Sequence, residues 1–416
     1  MPPGPVLIFD KSALESLNPD ESVWLDNFFI CNITPLFYIE TLADLEKELK
    51  SGRTPEQVVG NLAYKTPDME SNPNVHHSRL LSVELLGLQE IVLDGRLHKS
   101  GGRVVDFDGK KGVMFQMAQE EEALCRWKQG EFLDLERQLA KAWRRALTNI
   151  DYAQICKLFE RFFVEGKPKS LVEAKRLADT HIDAKMPEFI FRFGMSLLGT
   201  PEETHKNALR RWLDFGKPPI RQFAPYFSYV LSVDLFFCIS VAADLISRVR
   251  PAGKVDNKVD IAYLYYLPFC SVFTSRDNLH QRVVPLFLRS NQSFVNGGEL
   301  KADLSKLDEH YAALPEEVKV RGLHHFAGWP PSDPSFLVTR LWDRHLPDWR
   351  KSQSGKKELS KELQDALLKI VKSIEEKSKS SDPAKTLTVS ETDYIQIKRT
   401  IARKKGKWMR VGPDVK

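Results

Sequence analysis

The sequence predicts an α/β fold in which a small parallel sheet is joined to a large, mostly helical insertion. Two observations lead to this prediction. The short apolar runs Pro5-Val-Leu-Ile-Phe9 and Phe269-Cys-Ser-Val-Phe-Thr274 lack polar alternation, which is typical of strands buried on both faces. Between them, from about residue 51 to residue 254, helical periodicity replaces the strand signals. We therefore expect a sheet built from the two ends of a long helical region.

The first elements follow one another closely. The first apolar run ends in Asp10-Lys-Ser12, and a helical pattern begins at Ala13. Asp10 is suited to cap that helix, which is its simplest explanation. Phe28-Phe-Ile-Cys-Asn-Ile33 is a second strand candidate. Thr34-Pro35 then predicts a helix start, because threonine caps well and proline suits the first helical position.

The helix predicted to begin after Thr34-Pro35 carries an acidic face. Glu40 and Asp44 are four residues apart on the face that also holds Phe37. Like charges at this spacing weaken an isolated helix, so the face needs an explanation. Solvent exposure is one explanation, and metal binding is the other.

The middle of the chain is predicted to be helical, apart from a small hairpin within the stretch from Val92 to Lys111, which its glycine pairs and Asp108-Gly109 indicate. The predicted helices cover residues 78–88, 117–128, 131–148, 152–165, 171–179, 187–198 and 205–214.

A late stretch of the chain places two more acids near a strand. A short helix carries Asp256 and Asp260 near its start and leads into the second apolar run. Asp277 lies just past the carboxyl end of that run, where open α/β sheets bind ligands. A short strand at 293–295 and a helix from Glu299 follow.

The basic residues favour a nucleic-acid partner through their distribution. A net charge of +5 permits such a partner but does not require one. A charged helix is predicted at 356–379, followed by a linker at 378–383. The tail beyond it is basic and contains Trp408, which favours nucleic-acid binding over the alternative of a disordered solubilising tail. From Lys398 onward, this tail carries Arg399, Arg403, Lys404, Lys405, Lys407 and Arg410 against the single acid Asp414.

Several features predict a cytoplasmic protein. The five cysteines are scattered without a CxxC pair, so neither a zinc site nor a disulfide framework is expected. Asp10 interrupts the early apolar run, which argues against a secretory signal. The apolar stretch 223–246 contains Asp234 and Asp244, which predicts a buried helix and no contact with a membrane.

Taken together, these motifs resemble those of the PIN-domain nuclease family. The resemblance covers roughly residues 5–50 and 255–305. The similar segments, in order, are Asp10-Lys-Ser12, Ile33-Thr-Pro-Leu-Phe-Tyr-Ile-Glu40, Asp260-Ile-Ala-Tyr-Leu264, Phe273-Thr-Ser-Arg-Asp277 and Phe294-Val-Asn-Gly-Gly-Glu-Leu300. The chain departs from the family in the insertion of about two hundred residues between Glu40 and Asp260.

The resemblance implies a PIN-like three-layer core around a parallel sheet, and a carboxylate site for Mg²⁺ or Mn²⁺. By resemblance, Asp10, Glu40, Asp260 and Asp277 hold the metal. Ser12 and Thr274 orient these acids or a water molecule. The alternate ligands are Asp44 and Asp256.

The predicted architecture has four parts: a first part of the core at 1–58, a helical insertion at 59–222, a second part of the core at 223–305, and a helical C-terminal extension with the basic tail at 306–416. The predicted function is that of a metal-dependent endoribonuclease, with RNA favoured over DNA and a homo-oligomer or a regulatory protein as a further partner. The alternatives are a catalytically silent scaffold that binds nucleic acid or protein, and a DNA nuclease of the flap-endonuclease group.

Overall fold

The computed structural model describes most of the chain. The described residues are 4–49, 52–68, 75–96, 98–100, 102–107, 110–115, 118–148, 151–163, 166–183, 186–246, 258–353, 386–388, 404–410 and 412.

The first half of the fold is mostly helical. Its elements are β1 (Val6–Phe9), α1 (Lys11–Ser16), α2 (Pro19–Phe28), β2 (Ile30–Cys31), α3 (Pro35–Leu49), α4 (Pro55–Lys65), α5 (His77–Leu85), β3 (His98–Ser100), β4 (Gly102–Phe107), β5 (Lys110–Phe115), α6 (Gln119–Lys128), α7 (Asp134–Thr148), α8 (Tyr152–Phe159), α9 (Leu171–Ile182), α10 (Pro187–Leu197), α11 (Glu202–Asp214), α12 (Ile220–Phe223) and α13 (Pro225–Ala242).

The second half supplies the remaining strands. Its elements are α14 (258–263), β6 (Val272–Ser275), α15 (Asn278–Val283), β7 (Ser293–Asn296), α16 (Gly297–Ala312), α17 (Glu316–Lys319), α18 (Leu323–Phe326), α19 (Leu337–His345), α20 (Trp349–Gln353), β8 (Thr386–Thr388), β9 (Lys404–Lys405) and β10 (Trp408–Met409).

The central sheet has four parallel strands in the order β2-β1-β6-β7. Ile8 pairs with Phe273 across β1 and β6, so strands from the two ends of the helical region lie side by side. The predicted α/β class is therefore confirmed. The second strand is shorter than expected, because α2 continues to Phe28 and only Ile30–Cys31 pairs with β1.

Hydrophobic clusters cover both faces of the sheet. Because side chains alternate along a strand, Ile8 and Phe273 enter one cluster, which includes α5, α8–α13 and α14. Leu7 and Val272 enter the other cluster, which includes α1–α4 and α16. The helices of the insertion therefore share their cores with the sheet. The predicted hairpin is also confirmed, because β4 pairs antiparallel with β5. The helix predicted at 356–379 lies outside the described residues.

Helix α13 is buried, as the aspartates in the apolar stretch 223–246 predicted. Among the described helices, α13 is the one that is long and apolar enough to cross a membrane, but 89% of it is buried inside the protein. Asp234 accepts a hydrogen bond from Lys258 at 2.7 Å and another from Tyr265. Asp244 lies just after the helix, where its φ is 65°.

A buried carboxylate caps the start of α13. Glu84 accepts hydrogen bonds from the backbone N–H groups of Tyr226 and Phe227, at 2.8 and 2.7 Å. Helix N-termini attract negative charge, which favours the ionised form. Burial opposes this effect and raises the pKa of Glu84 to about 7.

Glu84 is expected to make stability depend on pH. A carboxyl with a folded pKa near 7 and an ordinary unfolded pKa near 4.5 binds more protons when folded. Its contribution is complete below pH 4.5 and is lost as the pH rises through 7, by about 3 kcal/mol. Glu84→Gln cannot ionise, so urea unfolding of this variant between pH 5 and 8 should lack that loss. Equal slopes for the variant and the wild type would contradict the assignment.

Part of the basic tail lies inside the fold, while Lys404 and Lys407 are exposed, so nucleic-acid binding by the tail stays a prediction. Lys405, Trp408 and Arg410 are all buried. Arg410 forms an ion pair with Asp26 at 2.6 Å, in which each side chain is 1% exposed. Lys405 Nζ donates to the carbonyl oxygen of Thr66 at 2.9 Å. These cations bind the protein itself. Arg399 and Arg403 lie outside the described residues.

A tight turn and an aromatic contact hold this terminal hairpin. Gly406 has φ 56°, and a Cβ there would lie 2.0 Å from Asp20 Oδ1. The same oxygen accepts a hydrogen bond from the backbone N–H of Lys407 at 2.8 Å. Trp408 packs edge to face on Trp24, with ring centroids 4.7 Å apart. The hairpin, defined as residues 404–410, is therefore part of the folded core.

Candidate acidic site

Asp10 stands at the carboxyl end of β1 and is 3% exposed. It caps α1, accepting from the N–H of Ala13 at 2.9 Å, so the simplest prediction for it is confirmed. It also accepts from the hydroxyls of Ser12, at 2.8 and 2.9 Å, and Ser275, at 2.6 Å. Burial alone would raise the pKa of Asp10, but the hydrogen bond and charge of His280, with Ser275 and Ala13, hold that pKa below its ordinary value. Asp10 is therefore an ionised, oriented carboxylate.

Glu40 and Asp260 lie close enough to Asp10 for their charges to interact. Burial raises the pKa of Glu40 well above its ordinary value, and the charges of Asp10 and Asp260 raise it further. Tyr263, one turn after Asp260 on α14, donates its hydroxyl to Glu40 Oε2 at 2.6 Å. Asp10, Glu40 and Asp260 therefore lie in one neighbourhood near the carboxyl end of β1, within range of one another's charge.

His280 carries a positive charge beside these acids. Its Nε2 lies 2.8 Å from the carbonyl oxygen of Asp260, and its Nδ1 lies 2.8 Å from Ser275 Oγ. Since Ser275 gives its proton to ionised Asp10, its oxygen accepts from His280. Both ring nitrogens then donate, as in an imidazolium. Burial would lower the pKa of His280, but Asp10 raises it to about 9.

Lys11 supplies a second buried cation. Its Nζ forms an ion pair with Asp44 Oδ2 at 3.1 Å. Burial would lower the pKa of Lys11, but the charges of Asp44 and Glu40 raise it above its ordinary value. Asp44, predicted as an alternate metal ligand, is thus engaged by a lysine. Asp256, the other alternate, lies outside the described residues.

Asp277 lies at the same edge but faces a helix end. Its Oδ1 accepts from the backbone N–H groups of Leu279 and His280, at 2.5 and 3.3 Å, so it caps α15. Its own N–H donates to Ser275 Oγ at 2.9 Å, which connects it to Asp10 through one hydroxyl. The structure therefore brings Asp10, Glu40 and Asp260 together and links Asp277 to them indirectly.

Thr274 contributes its backbone to this arrangement. Its carbonyl oxygen accepts from the N–H of Asp10 at 3.4 Å. Its hydroxyl is buried and has no hydrogen-bond partner among the described residues. Because side chains alternate along a strand, Thr274 points to the same face of β6 as Val272, which packs in the cluster that includes α1–α4 and α16. The hydroxyl that contacts Asp10 belongs to Ser275.

The two adjacent hydroxyls are expected to differ in what they contribute to stability. Ser275→Ala removes a partner from two buried ions and should lower the free energy of unfolding by about 1–3 kcal/mol. Thr274→Val removes a buried hydroxyl that bonds nothing and should raise it by about 1 kcal/mol. Urea unfolding of both variants measures the difference. Equal destabilisation by the two substitutions would contradict these hydrogen-bond assignments.

The donor chemistry of the site fits a hard divalent cation. Clustered carboxylates repel one another, as the raised pKa of Glu40 reflects, and Mg²⁺ or Mn²⁺ with oxygen ligands relieves such repulsion. Lys11 and His280 supply the counter-charge in this arrangement. Among the described residues, no group of three or more His, Cys, Asp and Glu side chains is arranged to hold a metal ion. The acids fit such an ion in type and location, while the carboxylates of Asp10 and Glu40 accept hydrogen bonds from neighbouring side chains.

Sequence reasoning missed four residues of this site, and two of them carried a signal. Ser275 ends β6, which pairs in register with β1, so the register places it beside Asp10. Tyr263 lies three residues after Asp260, on the same helical face. Lys11 and His280 had no comparable signal, because a lysine after a strand and a histidine in a helix are ordinary.

Comparisons of the chain with protein-family models, with curated proteins and with solved structures find no match.

Proposed function

We propose that this protein is a metal-dependent nuclease with a PIN-like core, and that its activity is endoribonucleolytic. The observation that supports the proposal most directly is that Asp10, Glu40 and Asp260 lie within range of one another's charge near the carboxyl edge of a parallel sheet, the usual ligand-binding edge of such sheets. These acids come from segments about two hundred residues apart in sequence. The preference for RNA over DNA rests on the family resemblance of the motifs.

In this proposal, Asp10, Glu40 and Asp260 hold the ion, and Asp277 takes part from the adjacent helix cap. A bound Mg²⁺ or Mn²⁺ supplies charge neutralisation at the phosphate and lowers the pKa of a bound water. Ser12 and Ser275 orient Asp10 through their hydrogen bonds, and His280 together with Ser275 keeps it ionised.

Further residues of the site have supporting roles. Tyr263 fixes the orientation of Glu40 through its hydroxyl. Arg276 is exposed between Ser275 and Asp277, and its backbone N–H donates to Ser12 Oγ at 3.1 Å. A guanidinium at this position is suited to contact a substrate phosphate.

A catalytically silent scaffold is the second candidate. It is favoured by the buried cations Lys11 and His280, which already offset part of the acidic charge. In that case the same edge binds nucleic acid or protein without cleaving it.

Cleavage assays on single-stranded RNA and single-stranded DNA, with Mn²⁺ or with EDTA, separate the two candidates. The nuclease proposal expects RNA fragments that appear with Mn²⁺ and disappear with EDTA. Binding of RNA without cleavage at any Mn²⁺ concentration would favour the silent scaffold. Fragments formed only from DNA would retain the nuclease and reject its assignment to RNA.

A further inference from the structure

A cavity of about 360 Å³ lies at the other end of the sheet from the acidic site. Its walls come from α9, α12 and α13 and from the chain just before β6 and β7, including Pro268 and Gln292. The acidic site stands at the carboxyl ends of β1 and β6, so the two sites are at opposite strand ends. The volume falls in the range of small-molecule sites, roughly 300–1,000 Å³.

The charges that line the cavity leave one cation without an acidic partner. Lys175 and Arg221 both pair with Asp179. Arg289 donates to the carbonyl oxygen of Pro268 at 3.0 Å and to the side chain of Gln292 at 3.2 Å. Within the described part of the chain, no carboxylate lies at ion-pair distance from Arg289.

Other charged groups do not neutralise Arg289. Asp94 interacts electrostatically with Arg289, but the carboxylate of Asp94 is hydrogen-bonded to Arg96. The backbone and amide oxygens that Arg289 contacts use only two of its five N–H donors. The remaining donors match a carboxylate or a phosphate, which a guanidinium binds in bidentate fashion.

A buried hydroxyl on the cavity wall also has no partner. Ser228 is 1% exposed, and its Oγ has no hydrogen bond in the described structure. Such an atom is rare in a folded interior, because a buried polar group without a partner costs free energy. The segment Leu286–Leu288 supplies an apolar wall to the same cavity. The cavity therefore combines a guanidinium, a hydroxyl and an apolar surface.

We propose that this cavity binds a small organic anion. Its phosphate or carboxylate group pairs with Arg289, Ser228 donates a hydrogen bond to it, and its apolar or aromatic body packs against Leu286–Leu288. The ligand also contacts the segment 264–269, which joins α14 to β6, since Pro268 lines the cavity. The proposal is independent of whether the acidic site cleaves RNA.

Isothermal titration calorimetry of the full chain tests the site with four probes: adenosine monophosphate, uridine monophosphate, benzoate and inorganic phosphate, each at millimolar concentration. At least one organic anion should bind more tightly than inorganic phosphate, which lacks a body to fill the apolar wall. A phosphate-specific site favours the nucleotides, and a carboxylate-specific site favours benzoate. Failure of all organic probes to bind would overturn the proposal.

Two arginine variants test whether the anion binds in this cavity. Arg289→Gln should weaken it by about 10- to 100-fold, the usual effect of losing a charged hydrogen bond. Arg344→Gln is the matched control, because Arg344 also donates to backbone carbonyls, of Ser290 and Gln292, but does not line the cavity. Equal affinities for the Arg289→Gln variant and the wild-type protein would reject the site.

One further variant tests the same cavity at a second residue, and another tests whether the anion binds at the acidic site instead. If Arg289→Gln fails to fold, Ser228→Ala tests the same cavity, and it should weaken binding by about fivefold. Asp10→Asn changes only the acidic site and should leave the affinity unchanged. Unweakened binding by Ser228→Ala, or lost binding by Asp10→Asn, would each place the ligand elsewhere.

Discussion

An Asp10→Asn variant is expected to lose RNA cleavage by a factor on the order of 10³ while it remains folded, since removing one group that stabilises the reacting charge commonly has an effect of this size. Asparagine keeps an oxygen that can accept from the N–H of Ala13, so the cap of α1 is retained. It removes the negative charge that a divalent cation requires from its ligand. The measurement is the initial rate of RNA cleavage with Mn²⁺, alongside circular dichroism of both proteins.

Asp303→Asn is the matched control for this substitution. Asp303, within α16, is also a buried aspartate that caps a helix, since its carboxylate accepts from the N–H groups of Leu337 and Val338 at the start of α19, at 2.7 and 2.9 Å. It takes no part in the acidic site, so its variant should cleave RNA at the wild-type rate. Unchanged cleavage by Asp10→Asn would contradict the proposed role of this acid. Equal losses in the two variants would indicate an effect on folding alone.

Arg410→Met is expected to lower the free energy of unfolding by about 3–5 kcal/mol, because breaking a buried ion pair leaves the partner charge uncompensated. Arg410 and Asp26 are each 1% exposed, so water cannot replace the lost guanidinium. Asp68, 3.5 Å from Arg410, also loses a neighbouring cation. Urea unfolding at neutral pH measures the change.

A second substitution separates the ion pair from simple packing. In the double variant Asp26→Asn with Arg410→Met, the stranded charge is gone, so part of the lost stability should return. Arg350→Met, which breaks the half-exposed pair with Asp343, should change stability by about 1 kcal/mol or less. If Arg410→Met behaves like Arg350→Met, the terminal hairpin is not a stabilising part of the core.

The strands of the sheet could be predicted because a strand that is buried on both faces appears in the sequence as a nearly continuous apolar run. Residues 5–9 and 269–274 contain almost no polar side chains, and β1 and β6 lie within one residue of those limits at their carboxyl ends. The second strand was predicted too long, since Phe28 is apolar in either a strand or a helix. The capping box of Asn18 and Glu21 starts α2, whose helix runs through to Phe28.

The acidic site was predictable in its location more than in its contacts. A strand-end aspartate and the order of the acids indicated where Asp10, Glu40 and Asp260 would meet. The partners of these acids depend on which side chains the fold places beside them, which no local pattern records. His280 contacts Asp10 across 270 residues, and Tyr263 contacts Glu40 across 223 residues.

The internal ion pairs of the terminal hairpin also could not be predicted from its local sequence. Five of its seven residues are lysine, arginine or tryptophan, which in isolation is the composition of a nucleic-acid-binding tail. The acids beside its two buried cations, Asp26 and Asp68, lie more than three hundred residues earlier, and Lys407 pairs with Asp308. Only the folded structure shows that Lys405, Lys407 and Arg410 are paired internally.

The location of a bound Mn²⁺ ion tests the central claim most directly. Anomalous diffraction from crystals soaked in Mn²⁺ should show a peak among Asp10, Glu40 and Asp260, with carboxylate oxygens about 2.1–2.3 Å from the ion, near the distances that oxygen ligands keep from small divalent cations. The same crystals of Asp10→Asn should lack the peak. A wild-type crystal with no anomalous peak at these three acids, or with its peak elsewhere, would contradict the account.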